Sequence, residues 1–245
     1  MNTTSACPNE APLEASGLTS TVRKVLVWDA PVRVFHWLMV LSFAGAYVTA
    51  ESERWRLLHA TLGYTMAGLV AFRLVWGLVG TRHARFASFV RGPSAVLRYL
   101  RSLVAGYPEH HAGHNPAGAI AIVGLLGLTT VLTAAGWATF NELGGEWIKE
   151  AHEAAANLML ALVGIHVAGV VLSSWLHHDN LIGAMVTGRK AGSPQDGVRS
   201  AWHSVAVLML VAVLGFWWSQ WQGNPANLGG QGGASLTHSV DHDDD

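Results

Sequence analysis

The chain has 245 residues, of which 51% are hydrophobic and only 13% charged, with a formal net charge of -1 at pH 7. Its apolar residues gather into long uninterrupted blocks, which excludes an ordinary soluble domain and predicts an all-α integral membrane protein. The near-neutral charge and the lack of any recognisable module give no reason to expect nucleic-acid binding.

Residues 1–24 read as a flexible cytoplasmic segment. The first 22 are polar with no apolar core of a cleaved signal peptide, so the first span is expected to act as its own insertion signal. Cys7 is the only cysteine, which rules out an intrachain disulfide framework and a four-cysteine cluster. Five blocks then approach the ~20 residues that cross a hydrocarbon core. They are Val34–Ala50, Leu57–Gly80, Ala117–Phe140, Ala154–Leu176 and Ala201–Trp221. The loops Glu51–Arg56 and Asn141–Glu153 are short, so the spans they join run antiparallel. Between the second and third spans, Pro93 opens either a short interfacial helix with arginines toward lipid phosphates or a plain basic connector. Residues 222–245 are Gly-rich and then acidic, and read as a disordered outer tail. Most of the 11 tryptophans fall at span ends, where the amphipathic indole anchors at headgroup depth.

Cytoplasmic flanks collect Lys and Arg. With the N-terminus inside, eleven basic residues lie on the cytoplasmic side: Arg23, Lys24, Arg33, Arg82, Arg85, Arg91, Arg98, Arg101, Arg189, Lys190 and Arg199. Only Arg54, Arg56 and Lys149 lie outside, and Arg73 falls within a span. The expected location is a bacterial inner membrane, with the C-terminus periplasmic.

Four of the 13 histidines stand out. His152 and His166 are fourteen residues apart on the fourth span, a rise of roughly 21 Å and about four turns, so both imidazoles emerge near one face at two depths. His59 lies near the outer end of the second span and His36 near the inner end of the first. Depth therefore pairs His59 with His152 and His36 with His166. Ionisable groups within lipid are costly and rarely idle, and neutral imidazole is a good axial ligand for haem iron. Two imidazoles per iron leave no open position and favour one-electron transfer, so the four histidines predict two haem b groups stacked across the membrane. The sequence contains no CxxCH, so any haem is not attached in the c-type manner.

Arg73 stands fourteen residues after His59 and reaches the inner level. Two roles compete there: pairing with a haem propionate, and snorkelling to the inner headgroups. Gly45, Gly63, Gly68, Gly164 and Gly169 could admit a porphyrin or a neighbouring helix. The remaining histidines fall in loops, at span ends or in the tail, and the grouping His110, His111 and His114 has no carboxylate or thiolate around it to complete a metal site. A rival function is a histidine-rich transporter or metal-handling protein. Transport predicts acidic or polar residues lining several spans, yet the third span has no charge and the first has none before Glu51.

Several motifs together resemble the prokaryotic cytochrome b561 family, which includes the b-type cytochrome subunit of nickel-iron hydrogenases. They are VWDAPVRVFHW (Val27–Trp37), RLLHATLGY (Arg56–Tyr64), FRLVWGLVG (Phe72–Gly80), GHNPAGA (Gly113–Ala119) and HEAAANLMLALVGIH (His152–His166). The resemblance implies a four-helix haem-binding bundle over residues 25–190; in this chain a linker and a fifth transmembrane helix over 191–221, read from hydropathy, follow that core. The first and fourth spans would hold one haem and the second and fourth the other, the same pairing that depth suggests. It also implies electron exchange between quinone and a periplasmic partner, either a c-type cytochrome or a hydrogenase-like subunit. A quinone headgroup would find polar donors at His114 and Asn115, before the third span. Those residues equally suit a helix-entry turn, with Asn115 capping ahead of Pro116.

Overall fold

A computed structural model describes residues 23–90, 92, 94, 97, 98, 101, 116–177 and 179–223. Pro93, His110, His111, His114, Asn115, His178 and the tail from residue 224 lie outside the described residues. Among the described residues the α-helices include, in chain order, α1 (Ala30–Thr49), α2 (Arg56–Val79), α3 (Pro116–Phe140), α4 (Glu146–His177), the short α5 (Leu181–Thr187) and α6 (His203–Gln222). All but α5 are long and apolar enough to cross a membrane, as expected of a helical membrane bundle.

Local chemistry moves two helix starts away from the hydropathy boundaries. α1 begins four residues before Val34, because Asp29 caps it: its Oδ1 accepts from the Val32 amide at 2.9 Å, and Pro31 occupies the first turn. α4 begins eight residues before Ala154. Glu142, Gly144 and Gly145 all take positive φ (57°, 79° and 70°), so residues 141–145 reverse the chain unaided. The charged run after them is free to be helical, and Glu146 in the first turn suits the positive end of the helix dipole.

Among the described residues, two short strands accompany the helices. β1 (Arg23–Leu26) pairs antiparallel with β2 (Arg189–Gly192), Val25 facing Lys190. This sheet ties the chain before α1 to the chain after α5 and marks one end of the bundle, here the sheet end. Gly188 is what permits the junction. It ends α5 with φ of 79°, its carbonyl accepts from the Val27 and Trp28 amides at 2.8 and 3.1 Å, and a Cβ there would lie 2.7 Å from the Trp28 carbonyl oxygen. The same end is fastened by Arg33, which donates to the Val186 carbonyl at 2.8 Å, and by His83 Nε2, which donates to the Asp196 carbonyl at 2.8 Å.

The helices pack in the order α6, α1, α2, α3, α4. Phe35, Leu38, Leu69 and Met209 seal α1, α2 and α6, while Met66, Leu132, Ala155 and Met159 seal α2, α3 and α4. The Trp217 indole of α6 also donates to Thr65 Oγ1 on α2 at 2.9 Å. Large apolar side chains such as Val48, Leu78, Ile165 and Val211 face outward, the pattern of helices whose solvent is lipid.

Candidate functional site

At the end away from the sheet, His59 in the first turn of α2 and His152 in the second turn of α4 face each other. Their ring centroids are 6.1 Å apart with planes at 81°. Each Nδ1 is held by a carbonyl of a neighbouring helix: His59 donates to Ala46 on α1 at 2.8 Å, and His152 to Leu132 on α3 at 3.1 Å. A carbonyl only accepts, so Nδ1 carries the proton and Nε2 keeps its lone pair for a metal.

Both acceptors are made available by local structure. The last turn of α1 tightens, the Ala50 amide bonding Tyr47, which leaves the Ala46 carbonyl to Thr49 Oγ1 and His59. On α3, the side chain four residues after Leu132 would normally screen its carbonyl, but that residue is Gly136. A Cβ on Gly136 would lie 2.8 Å from His152 Cε1 and 3.1 Å from its Nδ1.

Metal–imidazole bonds are ~2 Å long, and a ring nitrogen lies about 1 Å from its ring centre, so two imidazoles on opposite sides of one ion have centroids about 6 Å apart. The far-end pair fits a single six-coordinate iron on that measure.

At the sheet end, His36 in the second turn of α1 and His166 on α4 are close enough to interact electrostatically. His36 stands edge-on to Trp37, with centroids 5.2 Å apart. In contrast to the far-end histidines, its buried Nδ1 has no hydrogen-bond partner among the described residues. Between the two levels Met39, Phe43, Met66, Met159 and Val163 pack together. The structure thus brings His59 and His152 face to face and puts His36 and His166 within electrostatic range of each other, with an apolar layer between the two levels.

Arg73 is 3% exposed, so it does not snorkel. Its guanidinium lies 4.8 Å over the Phe86 ring, and Nη1 has no hydrogen-bond partner among the described residues. Asp29 is near enough to interact electrostatically, but both its oxygens are engaged: Oδ1 by Val32, and Oδ2 by Trp76 Nε1 at 3.0 Å and Thr81 Oγ1 at 2.7 Å. A buried cation with an unmet donor suits a carboxylate such as a propionate.

Of the glycines singled out above, Gly45 abuts Leu62 and serves helix packing, whereas Gly63, Gly68, Gly164 and Gly169 have open space where a Cβ would point. Among the described residues, no three His, Cys, Asp or Glu side chains converge where they could hold a metal ion.

Gly136 and Asp29 are absent from the sequence-based set of site residues. Asp29 carries a readable signal, an acid two residues before a proline at a helix start. Gly136 and His152 lie nearly symmetric about the loop 141–145, a relation visible only once α3 and α4 are known to form a hairpin.

These features define a class: a multi-pass helical membrane protein with paired interior histidines at two depths. Residues 27–188 match the prokaryotic cytochrome b561 family, and the chain belongs to it. Membership makes it a membrane cytochrome of the b type, a class whose cofactor is haem b. The chain is 28% identical over 142 residues to the "Probable Ni/Fe-hydrogenase 1 B-type cytochrome subunit" of Escherichia coli (strain K12), covering 47% of this chain and 60% of that relative. It is 31% identical over 169 residues to the "Probable Ni/Fe-hydrogenase B-type cytochrome subunit" of Azotobacter chroococcum mcd 1, covering 56% and 70%. The similarly named protein of Rhodobacter capsulatus is 24% identical over 214 residues, covering 68% and 81%. The chain therefore spans about 60% of the length of the E. coli relative. No solved structure matches it.

Proposed function

We propose that the protein is a diheme b-type cytochrome that carries electrons across the bacterial inner membrane, between quinone and a redox partner on the opposite face. The observation that carries this reading is the far-end pair, two imidazoles at iron-bridging distance with each Nδ1 held by a backbone carbonyl. Haem bound there supplies one-electron chemistry. His59 and His152 would ligate the far-end group, His36 and His166 the sheet-end group, and Arg73 would pair with a propionate of the latter. The apolar layer of Met39, Phe43, Met66 and Met159 excludes water between the levels.

The sheet end gathers Arg23, Lys24, Arg33, Arg82, Arg85, Arg189, Lys190 and Arg199, which supports placing it in the cytoplasm. The partner would then dock at the periplasmic end. The relatives' names favour a hydrogenase-like subunit over a c-type cytochrome. Quinone would exchange electrons at the sheet end, near His114 and Asn115 ahead of α3.

The test is to purify the protein and follow electron exchange between its haems and a soluble quinone analogue in both directions. Wild type should show a b-type reduced-minus-oxidised spectrum and rapid exchange, and Asn115→Ala and His114→Ala should slow exchange while keeping both haems. Normal rates in both variants would remove this quinone site, and absence of any haem band would sink the function in favour of transport or metal handling.

Gly136→Ala provides a second test. Its Cβ would push the His152 ring from the Leu132 carbonyl, and loss of such an orienting bond costs about 10–100-fold in metal affinity. Haem transfer to an apoprotein acceptor should release one of the two groups that much more readily. Release at the wild-type rate would show that Gly136 does not shape the site.

A further inference from the structure

We propose that Phe86 is a positioning residue for Arg73: seated in a notch at Gly77, its ring covers one face of the guanidinium and leaves the N–H groups free for a carboxylate of the ligand. This rests on the reading above that Arg73 pairs with a haem propionate.

The segment FRLVWGLVG places Arg73 and Gly77 four residues apart on α2, and so on one face of the helix. Both are buried. The missing side chain of Gly77 makes the notch, and the Phe86 ring fills it, since a Cβ on Gly77 would collide with Cδ2, Cε2 and Cζ of that ring. From this seat the ring meets Arg73, whose Cζ lies 4.8 Å from its centroid. Phe89, itself buried, closes on Phe86 edge-on, with centroids 5.9 Å apart and planes at 65°.

The chain that delivers Phe86 is fastened before it arrives. Thr81 Oγ1 donates to Asp29 at 2.7 Å, and its carbonyl accepts from the Ala84 and Arg85 amides at 2.9 and 3.1 Å. His83 donates to the Asp196 carbonyl. The short 3-10 turn Phe86–Ser88 follows at once, and these anchors set its first ring against the last turns of α2.

An aromatic face attracts a guanidinium through the ring quadrupole, most strongly where water is excluded. That attraction offsets part of the cost of burying Arg73, because both oxygens of Asp29 are taken by Val32, Trp76 and Thr81. An acidic residue in the place of Phe86 would also offset it, but would occupy the N–H groups. A ring does not accept hydrogen bonds in the guanidinium plane, and Nη1 indeed has no partner among the described residues. Phe86 thus holds the cation without using up the fork that recognises a carboxylate.

The test is haem release from the full-length holoprotein to an apoprotein acceptor, after loading either haem b or haem b with both propionates methylated. With haem b, Phe86→Leu should speed release of one of the two haems about tenfold. Arg73→Leu should speed the same phase, and the double variant should be no faster than Arg73→Leu alone. Phe86→Tyr, which keeps the aromatic face, should release near the wild-type rate. Gly77→Ala, which displaces the ring without altering it, should behave like Phe86→Leu. With the diester, Phe86→Leu and wild type should release alike, an equality that a merely structural role would not produce. Wild-type release of haem b from Phe86→Leu, additive effects in the double variant, or equal acceleration with the diester would each overturn the positioning role and leave the propionate reading standing. Wild-type release of haem b from Arg73→Leu would instead overturn the propionate reading, and this proposal with it.

Discussion

Replacing His59 with Ala is expected to leave about half of the haem bound. Bis-imidazole ligation needs both axial partners, and the other pair lies ~20 Å further along α4, too far to compensate. The far-end ring centroids are 6.1 Å apart, so a group held between them would lose one of its two holding side chains to the short alanine. His36→Ala should leave the complementary half. Haem per chain, counted on correctly inserted protein, checks both variants. Complete loss from a stable His59→Ala protein would show that the sites bind cooperatively, and unchanged content would remove His59 from the ligand set.

Asp29→Ala is expected to cause the largest loss of stability. The carboxylate is 1% exposed and joins the start of α1 to the end of α2 through Val32, Trp76 and Thr81. Removing a helix cap costs ~1 kcal/mol, and leaving the buried Trp76 N–H without an acceptor costs ~2 kcal/mol more. Thr81 adds little, because it is only half-buried and can turn to another acceptor. A total of roughly 3 kcal/mol should lower the thermal midpoint by on the order of 10 °C for a chain of this size. Asp29→Asn should fall between, since its Oδ1 still caps α1 while its amide nitrogen cannot accept from Trp76. Thermal loss of the haem spectrum would report both. A midpoint for Asp29→Ala within a degree or two of wild type would show that the clamp contributes nothing to stability.

The sequence alone determined the five spans, because apolar composition over ~20 residues is a property of each segment by itself. It also determined which histidines share a depth, because the fixed rise of an α-helix turns the fourteen residues between His152 and His166 into a distance along the membrane normal. The start of α4 was not legible, since EWIKEAHE reads as polar loop until the left-handed turn at 142–145 shows that the reversal is already complete. Nor was the small sheet, whose strands lie more than 160 residues apart and pair only after the helices bring both ends of the bundle's chain together. Only the tertiary structure decided which carbonyls hold the far-end imidazoles, that Gly136 uncovers one of them, and that Arg73 is enclosed under Phe86 rather than extended to the surface. Those facts depend on how each helix is rotated about its own axis, and that rotation is settled by packing against neighbours, which no single segment encodes.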